Sequence, residues 1–265
     1  MKTGLDIQNK ISMSSFDDIS IAYDNTIDWE SRLKREIPFI LSLIENIKEA
    51  RILDLACGSG RHAIALASQG SEVIGVDYSK SMIQAAEKHA AEANVTPKFI
   101  IGDMEGVKKS VEGPFDLVIC LGNSLALVND IDSLKQVAKD IFSVLKDGGS
   151  FLAQVLNFEE IHWTGFRTFP SKVGILSNGD EITFSRLFEH TDYPFSSTLV
   201  MSAFRKDGDN WISEVSTQKV LNLKHDQVKI IMEEAGFTSV EIFSDYERGE
   251  IDKKYDRSMV ILCQK

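Results

Sequence analysis

One run of residues, Arg51-Ile52-Leu53-Asp54-Leu55-Ala56-Cys57-Gly58-Ser59-Gly60, constrains this chain more than any other. Its apolar part predicts a buried strand, and the glycines that follow predict a sharp turn. Gly58 and Gly60 carry no Cβ, so the backbone there can turn tightly and approach a ligand closely. A second apolar run, Val73-Ile74-Gly75-Val76, ends on Asp77. Such a turn between a parallel strand and a helix is where open α/β sheets hold nucleoside-containing cofactors.

The surrounding pattern supports a parallel sheet. Strands are expected over 51–56, 72–77, 98–101, 115–121 and 150–156, with helices near 60–69, 79–93 and 131–145. This alternation predicts helices on both faces of the sheet. Asp147-Gly148-Gly149 reads as a helix stop followed by a tight turn. Upstream, apolar Leu33, Ile37, Ile40, Leu41 and Ile44 predict a helix over 31–47 that Pro38 bends or divides. Residues 1–28 are polar and read as irregular.

Beyond Leu156 the rhythm changes. Residues 180–191 and 197–223 read as strands, and Asp207-Gly208 predicts a hairpin inside the second stretch. A helix over 225–235 ends at Gly236, and two last strands follow near 238–244 and 259–263. The expectation is one domain over 1–265. Within it, 1–50 is a helical lid, 51–156 the cofactor-binding core, 157–223 an antiparallel insertion over the acceptor, and 224–265 the last helix and strands.

Composition narrows the function. Hydrophobic residues make up 43 % and charged residues 26 %, the balance of an ordinary globule. A net charge of −11 disfavours nucleic acid as a partner, because phosphate binding needs a basic footprint. No run reaches the length of a membrane span, and no apolar leader opens the chain. Cys57, Cys120 and Cys263 are far apart, which argues for free buried thiols, a cytoplasmic location and no metal site.

The chemistry-bearing residues fall at successive strand ends. After the glycine turn comes Asp77, whose carboxylate can accept from both hydroxyls of a ribose. Asp103, after Phe99-Ile100-Ile101-Gly102, can accept from an adenine amino group. Gly58-Ser59-Gly60-Arg61-His62-Ala63 also satisfies the dinucleotide fingerprint, which leaves an NAD-type oxidoreductase as an alternative. Two features oppose it: a helical segment precedes the motif, and the later portion turns antiparallel rather than repeating a mononucleotide half.

Ile52-Leu53-Asp54-Leu55-Ala56-Cys57-Gly58-Ser59-Gly60 resembles the first motif of class I S-adenosylmethionine-dependent methyltransferases. That resemblance covers the chain from about Tyr23 to the last strand. It implies a Rossmann-like α/β fold: a seven-stranded, mostly parallel sheet whose last strand inserts antiparallel, with the antiparallel β insertion after the fifth strand. It implies S-adenosyl-L-methionine as cofactor, with Ala56, Gly58 and Gly60 at the methionine tail and Asp77 on the ribose. Tyr78 and Met82 would flank adenine, and Asp103 with the Met104 backbone would read its edge. A methyltransferase-fold subunit without catalysis is the remaining alternative, opposed by the intact Gly58, Gly60, Asp77 and Asp103.

Cys120-Leu121-Gly122-Asn123-Ser124 is similar to a segment of the glycine and sarcosine N-methyltransferases. By that likeness Leu121 borders the donor, Asn123 reaches the acceptor, and Arg32 pairs with the donor carboxylate through its planar fork. The family's histidine near Ala126 is replaced by Leu127. Its basic-Asn-aromatic turn appears as Leu156-Asn157-Phe158, with Asn157 kept at the acceptor side. Both losses point to a less polar small-molecule acceptor, with Arg167 or Arg186 as a substitute anchor for an acidic one. Methylation at N or O is expected, with His162 as candidate base and Tyr23 as a lid residue near the reacting methyl.

Overall fold

The computed structural model describes residues 13–190 and 192–265. Expectations for residues 1–12 and Thr191 therefore lie outside the described residues. The parallel core is built from β1 (Arg51–Leu55), β2 (Glu72–Asp77), β3 (Lys98–Ile101), β4 (Phe115–Cys120) and β5 (Leu145–Leu156). With β10 (Ser239–Phe243) and β11 (Ser258–Gln264) they form a seven-stranded sheet in the order β10-β11-β5-β4-β1-β2-β3. β11 runs antiparallel to both β5 and β10, as the likeness implies.

Neighbouring residues along each central strand feed opposite apolar layers. Leu53, Val118 and Phe151 join one, with α5 (Ile131–Val144) and α7 (His225–Ala235). Ile52, Leu117 and Leu152 join the other, with α2 (Trp29–Leu41) and α3 (Arg61–Ala67). This two-sided burial is why these strands read as continuous apolar runs. α4 (Lys80–Glu92) follows β2 and begins with a Ser79 cap that accepts from the Met82 N–H.

A second sheet of four antiparallel strands holds β6 (Lys172–Ile175), β7 (Glu181–Glu189), β8 (Ser196–Asp207) and β9 (Asn210–Leu221). Gly208 and Asp209 make the two-residue β8–β9 turn, with Gly208 at φ +61°. The inner face of this sheet buries Ile182, Phe184 and Ala203 in a cluster with Ile19 and Ala22 of α1 (Met13–Asp24).

Several local expectations are corrected. Residues 13–24 form a helix rather than irregular chain. α2 ends at Leu41, three residues past Pro38, and turns follow to residue 49. Asp147-Gly148-Gly149 lies within β5, where the pairing with β4 jumps from Phe115↔Leu145 to Leu117↔Ser150. Gly148 is left-handed there, and a Cβ on Gly149 would sit 2.9 Å from the Lys146 carbonyl oxygen. A short helix, α6 (Phe158–Thr164), and the strand β6 were not expected. Among the described residues no helix is long and apolar enough to cross a membrane.

Candidate functional site

The strand that ends at Leu55 runs into three left-handed residues, Ala56 (φ +59°), Gly58 (φ +54°) and Gly60 (φ +76°). For Ala56 that conformation is strained, and strain of this kind gathers where backbone groups are held for a ligand. A Cβ added to Gly58 would meet nothing within 4 Å, so one side of the turn stands open. Gly60 differs: a Cβ there would lie 2.7 Å from the Ala86 Cβ and 2.8 Å from the Phe99 ring. Gly60 therefore serves helix–sheet packing.

Asp77 ties the turn together. One carboxylate oxygen accepts from the Gly58 N–H at 2.8 Å and the other from the Ser79 N–H at 2.8 Å. Each oxygen keeps a second lone pair for a ligand. Burial raises its pKa against the effect of those two N–H groups. Beneath the turn, Asp54 is buried and its Oδ2 has no partner among the described residues. Burial, opposed by His62 and the Ala63 N–H, pushes its pKa up to about 6.

Further along the same edge, Tyr78 is 74 % exposed and Met82 half-buried. Asp103 is exposed, and its Oδ1 accepts from the Glu105 N–H. Met104 packs against the core. Leu121 is buried in the layer under α2 and α3. This surface has the shape a nucleoside needs: an open glycine turn, then a carboxylate, an exposed ring and another carboxylate.

Arg32 reaches the site from α2. Its Nε donates to both oxygens of Glu36, at 3.0 and 3.3 Å, and its guanidinium lies over Trp29. Its terminal nitrogens face Gly122, where a Cβ would come within 3.3 Å of Nη2. Glu36 is 2 % exposed and also meets Arg35 at 3.2 Å and His62 Nε2 at 2.7 Å. Burial opposes its ionisation, but the His62 hydrogen bond and the Arg32 charge outweigh it and hold the carboxyl below its ordinary range. Sequence reasoning missed Glu36, although a carboxylate spaced three from Leu33 and four from Ile40 falls on the buried face of α2.

Beside Arg32 and Gly122 opens a cleft of about 530 Å³. Asn123, in the left-handed region, has its N–H on the Gln154 carbonyl and its Oδ1 on the Leu156 N–H. Gln154 accepts from the Gly122 N–H and donates to Ser258 Oγ. Its polar side chain in the otherwise apolar Phe151–Leu156 run was the overlooked signal. Leu127, Leu156, Phe188 and Leu199 supply apolar wall, and Arg186 lines the cleft from β7.

Three expected acceptor-side residues are not brought there. Asn157 is fully buried; its amide donates to the Lys253 and Asp256 carbonyls and its Oδ1 caps α6. Arg167 is exposed, does not line the cleft, and reaches only the Phe188 carbonyl at 3.5 Å. His162 also lies off the cleft, packed among Phe158, His190 and Tyr193 with Nε2 3.4 Å from the Asn222 amide. Burial, then the charges of His190 and Lys224, pushes its pKa down to about 4. Tyr23 packs edge-on against Phe184 and beneath the Arg186 guanidinium.

A wider groove of about 1110 Å³ lies at the opposite ends of β1, β2 and β3, near Arg51, Glu72 and Lys98. Arg51 there is committed to Glu72 and the carbonyls of Glu112 and Pro114. Ligands of open α/β sheets bind at the carboxyl ends of the strands instead. All three cysteines are buried and free, and among the described residues no metal-binding group occurs.

The fold and the comparisons together support a class I S-adenosylmethionine-dependent methyltransferase, an enzyme with S-adenosylmethionine as its cofactor. The family model described as "Methyltransferase domain" matches residues 52–149. The glycine/sarcosine N-methyltransferase of Parasynechococcus marenigrum (strain WH8102) is 27 % identical over 234 residues, covering 88 % of this chain and 78 % of that protein. Among solved structures, an S-adenosylmethionine-dependent methyltransferase from Clostridium acetobutylicum superposes with TM-score 0.73 at 20 % identity, covering 95 % of this chain and 98 % of that one. The S-adenosylmethionine-bound amino pentose methyltransferase CalS10 from Micromonospora echinaspora gives TM-score 0.68 at 13 % identity, covering 97 % and 99 %.

Proposed function

We propose that this enzyme methylates a nitrogen or oxygen of a small-molecule acceptor held in the cleft beside Arg32, Gly122 and Asn123. One observation carries the reading: the cleft is lined by Arg32, the residue assigned to the donor carboxylate, and by Arg186 of the antiparallel sheet. The relatives fit a small acceptor, since one is named for glycine and sarcosine and another for an amino pentose.

The donor supplies an activated methyl on a sulfonium, with a good leaving group behind it. The chain's task is alignment and exclusion of water. The Ala56 and Gly58 backbone would approach the methionine tail, and the free end of the Arg32 fork suits its carboxylate. Asp77 has lone pairs left for the ribose hydroxyls. Tyr78 and Met82 would flank adenine, Asp103 and the Met104 backbone would read its edge, and Leu121 would border the donor. The Asn123 Nδ2 makes no hydrogen bond among the described residues and would orient the acceptor. A neutral amine needs no base, which accords with His162 lying off the cleft.

We read α1 and α2 as a lid and the four-stranded sheet as the acceptor wall of one catalytic domain. Three free thiols fit a reducing, cytoplasmic setting. The acidic chain fits a small-molecule acceptor rather than nucleic acid.

Thermal unfolding with S-adenosylmethionine, S-adenosylhomocysteine and NAD in parallel tests the donor site. At a hundred times its Kd a native-state ligand adds about 2.7 kcal/mol. Stabilisation by the first two is expected, and Asp77→Ala should weaken it by about tenfold in affinity. Stabilisation by NAD alone would replace this reading with the oxidoreductase.

A further inference from the structure

Among the described residues no carboxylate answers the charge of Arg186. It lies in β7 between Phe184 and Phe188, both buried, and is itself half-buried. Its guanidinium carbon sits 4.5 Å from the Phe169 ring centre and 5.1 Å from that of Tyr23. Among the described residues it has no ion pair and no side-chain hydrogen bond. The guanidinium thus lies over two aromatic rings, contacts that use its charge but none of its N–H donors, and those donors suit the planar fork that meets a carboxylate.

The neighbourhood makes that vacancy specific. Two carboxylates line the cleft, and both are engaged elsewhere. Glu36 is held by Arg32, Arg35 and His62. Asp245 accepts from the Glu247 and Gly249 N–H groups and from Ser244 Oγ. Near Tyr23, Lys172 donates to the Thr26 carbonyl and the buried Asp24 brings an opposite charge. The cleft itself is lined by three arginines (Arg32, Arg35 and Arg186) against Glu36 and Asp245, in a chain whose net charge is −11. The donor's carboxylate is assigned to Arg32, which leaves Arg186 free to meet an anion on the acceptor.

We infer that the methyl acceptor itself carries a carboxylate, received edge-on by Arg186 between Tyr23 and Phe169, with an apolar body against Leu127, Phe188 and Leu199. The inference rests on the donor site proposed above. It places the acceptor's anchor on the antiparallel sheet, away from the turn after β5, where Leu156 stands. Tyr23 and Phe169 become the residues that fix the anchor's plane.

The test is calorimetric titration of the full chain, first with S-adenosylhomocysteine. The loaded protein is then titrated with four carboxylates and the primary amide of each: glycine, L-leucine, L-phenylalanine and 4-aminobenzoate. At least one carboxylate should bind about tenfold more tightly than its amide, the range expected of a hydrogen bond between charged groups. Arg186→Gln should abolish that preference and Arg186→Lys should keep part of it, while both variants bind S-adenosylhomocysteine as the native chain does. If no carboxylate outbinds its amide, or the preference survives Arg186→Gln, the inference fails while the donor site stands. Failure of the first titration sinks the donor reading instead.

Discussion

The glycine-turn edge and the cleft are built by different means. At the edge proposed for the donor stand a strained Ala56, an open Gly58 and an Asp77 carboxylate bound to two main-chain N–H groups. They come from adjacent parallel strands, and short segments suffice to specify them. The cleft proposed for the acceptor is lined by side chains from α2, the turn after β4, β5, β7 and β8, brought together only when the second sheet docks. A turn constrained by its own glycines is legible locally and tolerates little change. A wall of side chains can be altered one position at a time, which is how one fold serves many acceptors.

The sharpest break of this comparison is Gly60→Val. A left-handed β-branched residue pressed into Ala86 and Phe99 should cost about 3 kcal/mol or more, read as the loss in urea unfolding free energy. An effect below about 1 kcal/mol would mean that the turn is not the rigid element.

A second expectation concerns Asp54, whose folded pKa stands near 6 against an ordinary 3.8. Because the folded state holds this proton more tightly, Asp54 should lower stability progressively as pH rises from about 4 to about 6. The whole cost, about 3 kcal/mol, is then present above that window. Subtracting the unfolding free energies of Asp54→Asn from those of the native chain across pH 4–8 isolates this contribution. A flat difference would show that the orphaned Oδ2 finds a partner in solution.

The smallest effect is expected at His162. A general base contributes about 10²- to 10⁴-fold. His162→Phe should change kcat by less than about threefold and leave its pH profile in place, because the imidazole lies off the cleft and its pKa is near 4. A hundredfold loss with an altered profile would return His162 to the reaction.

Much of the parallel sheet was legible because each strand is a short apolar run bounded by a turn residue. β2 and β3 fall where the pattern places them, and β1 and β4 differ by one residue at their ends. α6 escaped because seven residues, Phe158–Thr164, are too few to display a helical period. α1 escaped because Asp17-Asp18 resembles a loop signal, whereas Ile19 and Ala22 are buried against the second sheet. Asn157 was expected at the acceptor because Leu156-Asn157-Phe158 resembles the basic-Asn-aromatic turn of the glycine and sarcosine N-methyltransferases. Folding directs it instead to carbonyls almost a hundred residues away, those of Lys253 and Asp256.

What the sequence by itself determined is the class of fold and the donor edge. Glycine placement, strand alternation and strand-end carboxylates are local properties, set by backbone sterics and hydrogen-bonding capacity within a few residues. The tertiary structure alone decided which charges meet. It closed Glu36 on Arg32, Arg35 and His62, kept Asn157, Arg167 and His162 off the cleft, and set Arg186 over the Tyr23 and Phe169 rings. Side-chain pairing depends on which distant surfaces bury one another, and no spacing along a single chain encodes that directly.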